Sequence, residues 1–383
     1  MKAMILAAGK GTRVRPLTYE LPKPMIPVLG KPVMAFLIEH LRKHGVNEIM
    51  INVSHLHDKI EEYFRDGEQF GVQIGYSFEG YATENGNVVA KPLGSAGGIK
   101  RVQELGGFFD DTTIVLCGDA LIDLDIGSAL AEHRSKNALA SIVTTEVPWD
   151  KVSNYGVVVT DNNGLITQFQ EKPTREEALS NFVSTGIYIF EPEIIDLIPS
   201  ATEFDIGSQL FPLLAANGMP FYAQHRSFNW LDIGSVVDYW EVFQNVLNGS
   251  VVHMNVPGNE IKPGVRAGLN TSIDWNGTNI HGPVYIGSGV TIEAGTTIIG
   301  PTWIGHGSHV CRGARIERSI LFEYTRVLHS ASIREMTIFN NYGIDRLGNM
   351  HPSANEWVNS KDRRLRPRTP TLLHVGSQQE LTA

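Results

Sequence analysis

The sequence predicts two folded units in tandem. The first is an α/β unit with a mostly parallel sheet and helices on both faces, and the second is a parallel β-helix. Three observations carry this reading. At roughly 100–200 residues per domain, a chain of 383 residues makes two domains or three, each with its own core. Short β-rich runs alternate with helical patterns as far as Leu247, the order that builds a sheet with crossover helices. Beyond that, aliphatic residues recur at a six-residue interval. Composition excludes other classes. With 42% hydrophobic residues the chain is too apolar for disorder. No apolar stretch approaches the ~18 residues of a membrane span. A net charge of −9 argues against a nucleic-acid partner. Cys117 and Cys311 are the only cysteines, too few for a disulfide scaffold. Met1-Lys2 and the short apolar run after them do not form a signal peptide, so the cytoplasm is the expected compartment.

Taken in order, the expected strands are Ala3–Ala7, Glu48–Val53, Val72–Phe78, Thr113–Cys117, Ala138–Thr144, Gly156–Thr160 and Gly186–Phe190. A helix is expected at Val33–His44, where Met34, Leu37, Ile38 and Leu41 share one face. Lys59–Phe64 gives a second. Ser235–Leu247 gives a third, with Val236, Tyr239, Trp240, Phe243 and Leu247 on one stripe. The whole resembles a Rossmann-like arrangement.

The repeat places Ile280, Ile286, Ile292, Ile298, Ile304, Val310 and Ile316 in strict register. A second column of small or branched residues runs Val284, Val290, Thr296, Thr302, Ser308 and Ala314. Six positions advance an α-helix by about 600°, so a helix cannot bury such a column, whereas short strands wound in coils can. The pattern resembles the left-handed parallel β-helix of hexapeptide-repeat proteins. It implies a little over two coils, stacked on a neighbour or on the first unit. Phe322 and Leu328 stay in step beyond Ile316. The expected division is residues 1–250, then 251–345, then a tail 346–383 carrying Lys361, Arg363, Arg364, Arg366 and Arg368.

Charge points to the site. Residues 1–31 hold six basic side chains against Glu20, a net +5 in a chain of −9, which leaves −14 elsewhere. A polyanionic ligand is expected there. Gly9-Lys10-Gly11-Thr12-Arg13 follows the first strand, and its glycines let backbone N–H groups approach phosphates while Arg13 and Arg15 add fixed donors. Pro22-Lys23-Pro24 pins a lysine between two restricted residues.

Leu6-Ala7-Ala8-Gly9-Lys10-Gly11-Thr12-Arg13 and Pro22-Lys23-Pro24-Met25-Ile26-Pro27 resemble the signature of the sugar-1-phosphate nucleotidyltransferases. The likeness continues through Pro92-Leu93-Gly94-Ser95-Ala96-Gly97, Gly118-Asp119, Tyr155-Gly156, Glu171-Lys172-Pro173, Ser184-Thr185-Gly186 and Trp230-Leu231-Asp232-Ile233-Gly234. It implies a Mg²⁺-dependent reaction in which a hexose 1-phosphate attacks the α-phosphorus of a nucleoside triphosphate and pyrophosphate leaves. The resemblance implies catalytic roles for Arg13 and Lys23, and metal ligation by Asp119 and Asp232. Leu6, Ala8, Gly9, Gly11, Thr12, Pro92, Gly94 and Ser95 would contact the nucleotide. Tyr155, Gly156, Glu171, Lys172 and Ser184 would contact the sugar phosphate. Layout favours GTP with mannose 1-phosphate, with UTP and glucose 1-phosphate second, and assembly of like subunits through the β-helix. Relatives often carry Gln or Glu before the Pro-x-Gly loop, where Val88-Val89-Ala90-Lys91 offers neither; Asn85 and Asn87 are the substitutes at hand. Ser184 stands where guanylyltransferases commonly have Asn, and leans toward glucose; Ala8 replaces a frequent glycine. Two rivals are a non-catalytic subunit that senses sugar nucleotides and a bifunctional nucleotidyl- and acyltransferase. Cys117 is expected in the core, and no covalent nucleophile is needed.

Overall fold

β1 (Lys2–Leu6) has side chains that alternate between two cores, which fixes the layers around it. Ala3 and Ile5 pack with apolar residues of α1 (Val33–Lys43), α2 (His57–Phe64) and α4 (Ile126–Ser135). Met4 packs on the opposite side with α3 (Gly94–Gly106) and α5 (Phe211–Ala216). Helices therefore cover both faces, as expected. The computed structural model describes residues 1–82, 88–251, 256–340, 342–351 and 357–360. Asn85, Asn87 and the five basic residues of the tail lie outside them.

The central sheet has nine strands. After β1 come β2 (Glu48–Val53), β3 (Gln73–Phe78), β4 (Thr113–Cys117), β5 (Ala120–Ile122), which lies outside the sheet, and β6 (Ala140–Glu146). Then follow β7 (Gly156–Thr160), β8 (Ile166–Glu171), β9 (Phe182–Phe190) and β10 (Phe221–His225). The order is β8-β7-β9-β4-β1-β2-β3, with β6 beside β9 and β10 beside β6. β1 runs parallel to β2 and β4, β2 to β3, and β6 to β10. However, β9 is antiparallel to β4, β6 and β7, and β7 to β8, so the sheet is mixed rather than mostly parallel. The cause is local. Asp161 Oδ1 accepts from Asn163 N at 2.8 Å and Leu165 N at 2.9 Å, a tight turn that makes β7 and β8 a hairpin.

The aliphatic column lines the inside of the β-helix, with Ile280 through Ile316 at most 7% exposed. The coils are more numerous than the six-residue repeat implies. Among the described residues, strands stack in parallel from Val265–Ala267 to Met336–Phe339, four turns of the β-helix. Thr291 pairs with His309, eighteen residues on, but His309 pairs with Arg326, only seventeen on. One residue is lost at a corner between Glu317 and Ile320, so the inward column continues as Leu321, Val327 and Ile333. Phe322 does not stay in the column. It turns outward and packs on Trp303 and Phe339, with ring centroids 5.6 and 5.1 Å apart.

That outward face carries Tyr285, Trp303, Ile320, Phe322 and Phe339 against Tyr239, Trp240 and Phe243 of α6 (Val236–Leu247). The β-helix thus stacks on the first unit through an apolar core. Phe322→Ala should cost about 3 kcal/mol, since a buried aromatic is lost with little room to collapse. The urea midpoint of the full chain would fall accordingly, and an unchanged midpoint would put this cluster outside the cooperative unit.

Candidate active site

Three parallel strands end at one crevice. β1 lies between β2 and β4, so the chain leaving β1 enters the gap where the connections diverge, the usual ligand position in open α/β sheets. Ala7 N donates to Asn52 Oδ1 at 2.8 Å, and Gly118 N to Leu6 O at 3.0 Å, which pin both strand ends. Gly11 adopts φ +60°, and a Cβ there would come within 2.9 Å of Thr18 Cγ2. Its carbonyl accepts from Thr18 Oγ1 at 2.7 Å, and a single helical turn at Thr12–Val14 then presents Arg13. A Cβ on Gly9 would meet no protein atom within 4 Å, so a ligand has room to approach the loop backbone.

Asp119 and Asp232 are far apart in sequence and adjacent in space. β11 (Trp230–Asp232) pairs antiparallel with β5, placing Asp232 opposite Ala120, and Ile233 N donates to Asp119 O at 3.1 Å. Lys23 reaches between the two carboxylates, hydrogen-bonding Asp119 Oδ2 and standing 3.7 Å from Asp232 Oδ1. Burial works against the Lys23 charge, yet Asp119 and Asp232 hold its pKa above the usual lysine value. Burial, then Asp119, push the Asp232 carboxyl up to about 7 despite Lys23. The Asp119 and Asp232 carboxyls around one ammonium offer hard oxygen donors that fit a Mg²⁺ ion. Cys117 is not a plain core residue, because it lines the cleft beside them. Burial and both aspartates raise its thiol pKa, which disfavours the thiolate.

The cleft has two chambers. One, of about 230 Å³, is lined by Leu6, Gly9, Gly11, Thr12, Arg13, Lys23 and Asp119. The other, of about 260 Å³, is lined by Tyr155, Gly156, Glu171, Lys172, Ser184 and Asp232, among others. Leu6, Arg13, Lys23 and Asp119 border both, so the cationic cluster stands at their junction. Lys172 takes φ +45°, a left-handed backbone that costs energy, and pairs with Glu171 at the chamber mouth.

Three residues expected at the nucleotide, Ala8, Pro92 and Gly94, are not in the lining of either chamber, although Ala8 stands between the lining residues Ala7 and Gly9. Gly94 opens α3 rather than a loop, and a Cβ there would lie 2.5 Å from Phe204 O, which also accepts from Ala96 and Gly97 N. Ser95 does line the second chamber, but its hydroxyl is engaged. It donates to Asp205 Oδ2 at 2.7 Å and accepts from Ile206 N at 2.8 Å. Asp205 and Gly207, which sequence reasoning missed, form part of the second chamber's wall. Their signal was the Asp205-x-x-Ser208 cap, in which Ser208 N donates to Asp205 Oδ1.

Residues 2–249 match the profile of the nucleotidyl transferase family. A UTP–glucose-1-phosphate uridylyltransferase of Synechocystis sp. is 54% identical over 361 residues, covering 94% of this chain and 93% of that one. The chain belongs to the sugar-1-phosphate nucleotidyltransferase family. A mannose-1-phosphate guanylyltransferase of Mycobacterium tuberculosis is 31% identical across 76% of this nucleotidyltransferase and 81% of its own length. The catalytic subunit beta of the Xenopus tropicalis mannose enzyme is 34% identical over 62% of each chain. Among solved structures, a Bacillus anthracis chain assigned as a glucose-1-phosphate thymidylyltransferase superposes with TM-score 0.54 at 25% identity. It covers 63% of this nucleotidyltransferase and 94% of itself.

Proposed function

We propose that this enzyme joins UTP and glucose 1-phosphate to give UDP-glucose and pyrophosphate. The observation that carries the chemistry is the Lys23–Asp119 pair at the junction of two chambers, with Asp232 beside it in the second. The substrate pair rests on the uridylyltransferase that matches nearly the whole chain, which outweighs the shorter and weaker likeness to the guanylyltransferases. The sequence expectation of GTP and mannose 1-phosphate first is therefore reversed. Ser184 had leaned the same way.

In this reading the sugar phosphate oxygen attacks the α-phosphorus in line, and the bond to the β-phosphate oxygen breaks. The first chamber holds the triphosphate. Backbone N–H groups of Gly9–Thr12 and the Arg13 guanidinium receive the β- and γ-phosphates and stabilise the departing pyrophosphate. Lys23 stands where charge builds on the α-phosphate, already desolvated and fixed. In the second chamber Lys172 holds the incoming phosphate, and Glu171 with Ser184, Tyr155 and the Gly156 backbone receives sugar hydroxyls. Asp119 and Asp232 are the residues that would hold Mg²⁺, which when bound offsets the repulsion between two anionic substrates. No covalent intermediate is needed. The same reading assigns residues 1–250 to catalysis, 251–345 to the β-helix and 346–383 to a tail, with like subunits joined through the β-helix in the cytoplasm.

A Cβ on Gly207 would lie 2.4 Å from Glu171 Oε2. Gly207→Ala should therefore lower kcat/KM for the sugar phosphate by up to about 100-fold while sparing KM for UTP. Equal effects on both substrates would separate Glu171 from the sugar. The proposal as a whole is tested by pyrophosphate release from GTP, UTP, dTTP, CTP and ATP, each with mannose and glucose 1-phosphate. UTP with glucose 1-phosphate should give the highest kcat/KM. A higher value for GTP with mannose 1-phosphate, or no turnover in any pairing, overturns it.

A further inference from the structure

Away from the cleft, three metal-binding side chains meet on two neighbouring coils of the β-helix. Ile292 pairs with Val310, so the residues that follow them, Glu293 and Cys311, stack on adjacent coils. His309 and Cys311 flank the fully buried Val310, which packs in the inward core. The Glu293, His309 and Cys311 ligand atoms all lie within 4.8 Å of one another. Glu293 Oε1 is 2.7 Å from His309 Nε2, and its Oε2 accepts from Arg312 N at 2.9 Å, so the carboxylate is held in one orientation. The two rim side chains are about one-third exposed (35% and 33%) while Cys311 is wholly buried, which sets a sulfur beneath a partly exposed His–Glu rim.

A surface His–Glu pair alone contributes about 0–1 kcal/mol and has no use for a thiol beneath it. Sulfur, imidazole nitrogen and carboxylate oxygen together form the donor set of zinc, whereas Mg²⁺ takes oxygen alone. We propose that Glu293, His309 and Cys311 form a binding site for a divalent cation of the zinc class, which clips the two coils together. On binding, the Cys311 thiol gives its proton to solvent, the imidazole ligates in its neutral form through Nε2, and water completes the fourth position. None of the three residues borders the catalytic cleft.

The test uses the full chain stripped with chelator and kept in saturating Mg²⁺, with Co²⁺ as the spectroscopic probe. One Co²⁺ per chain should bind with a thiolate-to-cobalt charge-transfer band, and Zn²⁺ should displace it. Cys311→Ser should abolish the band. His309→Gln and Glu293→Gln, which alter only the partly exposed rim, should weaken Zn²⁺ binding by at least about 100-fold. All three should leave nucleotidyl transfer unchanged, and Zn²⁺ should raise the melting temperature of the wild type alone. Absence of the band in the wild type, its survival in Cys311→Ser, or unchanged Zn²⁺ affinity in both rim variants overturns the proposal.

Discussion

Asp119→Asn is expected to lower kcat for pyrophosphate release by about 10³-fold or more, with the fold intact. Asp119 sits just beyond the end of β4, and its backbone is fixed by the bond from Ile233 N, which the substitution does not touch. An amide has the same shape but no charge. It removes one of the two hard oxygen ligands offered to Mg²⁺ and the carboxylate that Lys23 contacts. Asp232 also loses the neighbour that, after burial, most raises its pKa, so the variant relieves repulsion in the resting protein. Stability and activity should therefore separate. Circular dichroism and thermal melting should match the wild type while Mg²⁺-dependent turnover disappears. If the variant keeps a tenth of the wild-type rate, Asp119 is not a metal ligand.

Lys23→Gln should cost about 10²–10³-fold in kcat, with KM for UTP much less affected. The lysine is held by Pro22 and Pro24 on either side, and its ammonium is largely buried between Asp119 and Asp232. Removing it leaves two carboxyls sharing one desolvated place and takes away the cation proposed to meet the reacting phosphate. Lys23→Arg should not restore the rate, because the planar fork needs room that this enclosed position does not give. Single-turnover kinetics separate the two cases. A raised KM with unchanged kcat would mean that Lys23 only binds ground-state phosphate.

Much of the first unit could be read from local pattern. The stripe of Met34, Leu37, Ile38 and Leu41 made α1 plain, and all four are buried. The Asp119 and Asp232 motifs could be named from sequence, but their meeting depends on β5 pairing with β11, a long-range register that no local pattern encodes. α3 is not among the expected helices, and Gly94, Gly97, Gly98 and Gly106 depress its helix propensity. Packing of Ala96, Ile99 and Val102 overrides them. A Cβ on Gly98 would in fact fall 2.5 Å from Glu79 Oε1, so that glycine serves close packing against a buried carboxylate. In the β-helix a strict six-residue rule recognises only coils of equal length. The single residue lost before Ile320 hid the fourth coil and made Phe322 look like an inward residue when it faces α6. Asp205 and Gly207 were missed for a different reason, since the Asp205-x-x-Ser208 cap marks a helix start but not its place in the chamber wall. Their positions follow from the Ser95 and Phe204 contacts at the start of α3, which exist only in the folded chain.

The central claim is that this cleft transfers a nucleotidyl group by attack at the α-phosphorus. The most direct measurement follows label from UTP through the reaction of the full chain with glucose 1-phosphate and Mg²⁺. With α-³²P-labelled UTP the label should appear in UDP-glucose, and with γ-³²P-labelled UTP it should appear in pyrophosphate. Recovery of the γ-label in inorganic phosphate or in a phosphorylated sugar, with UDP as the other product, would contradict the account.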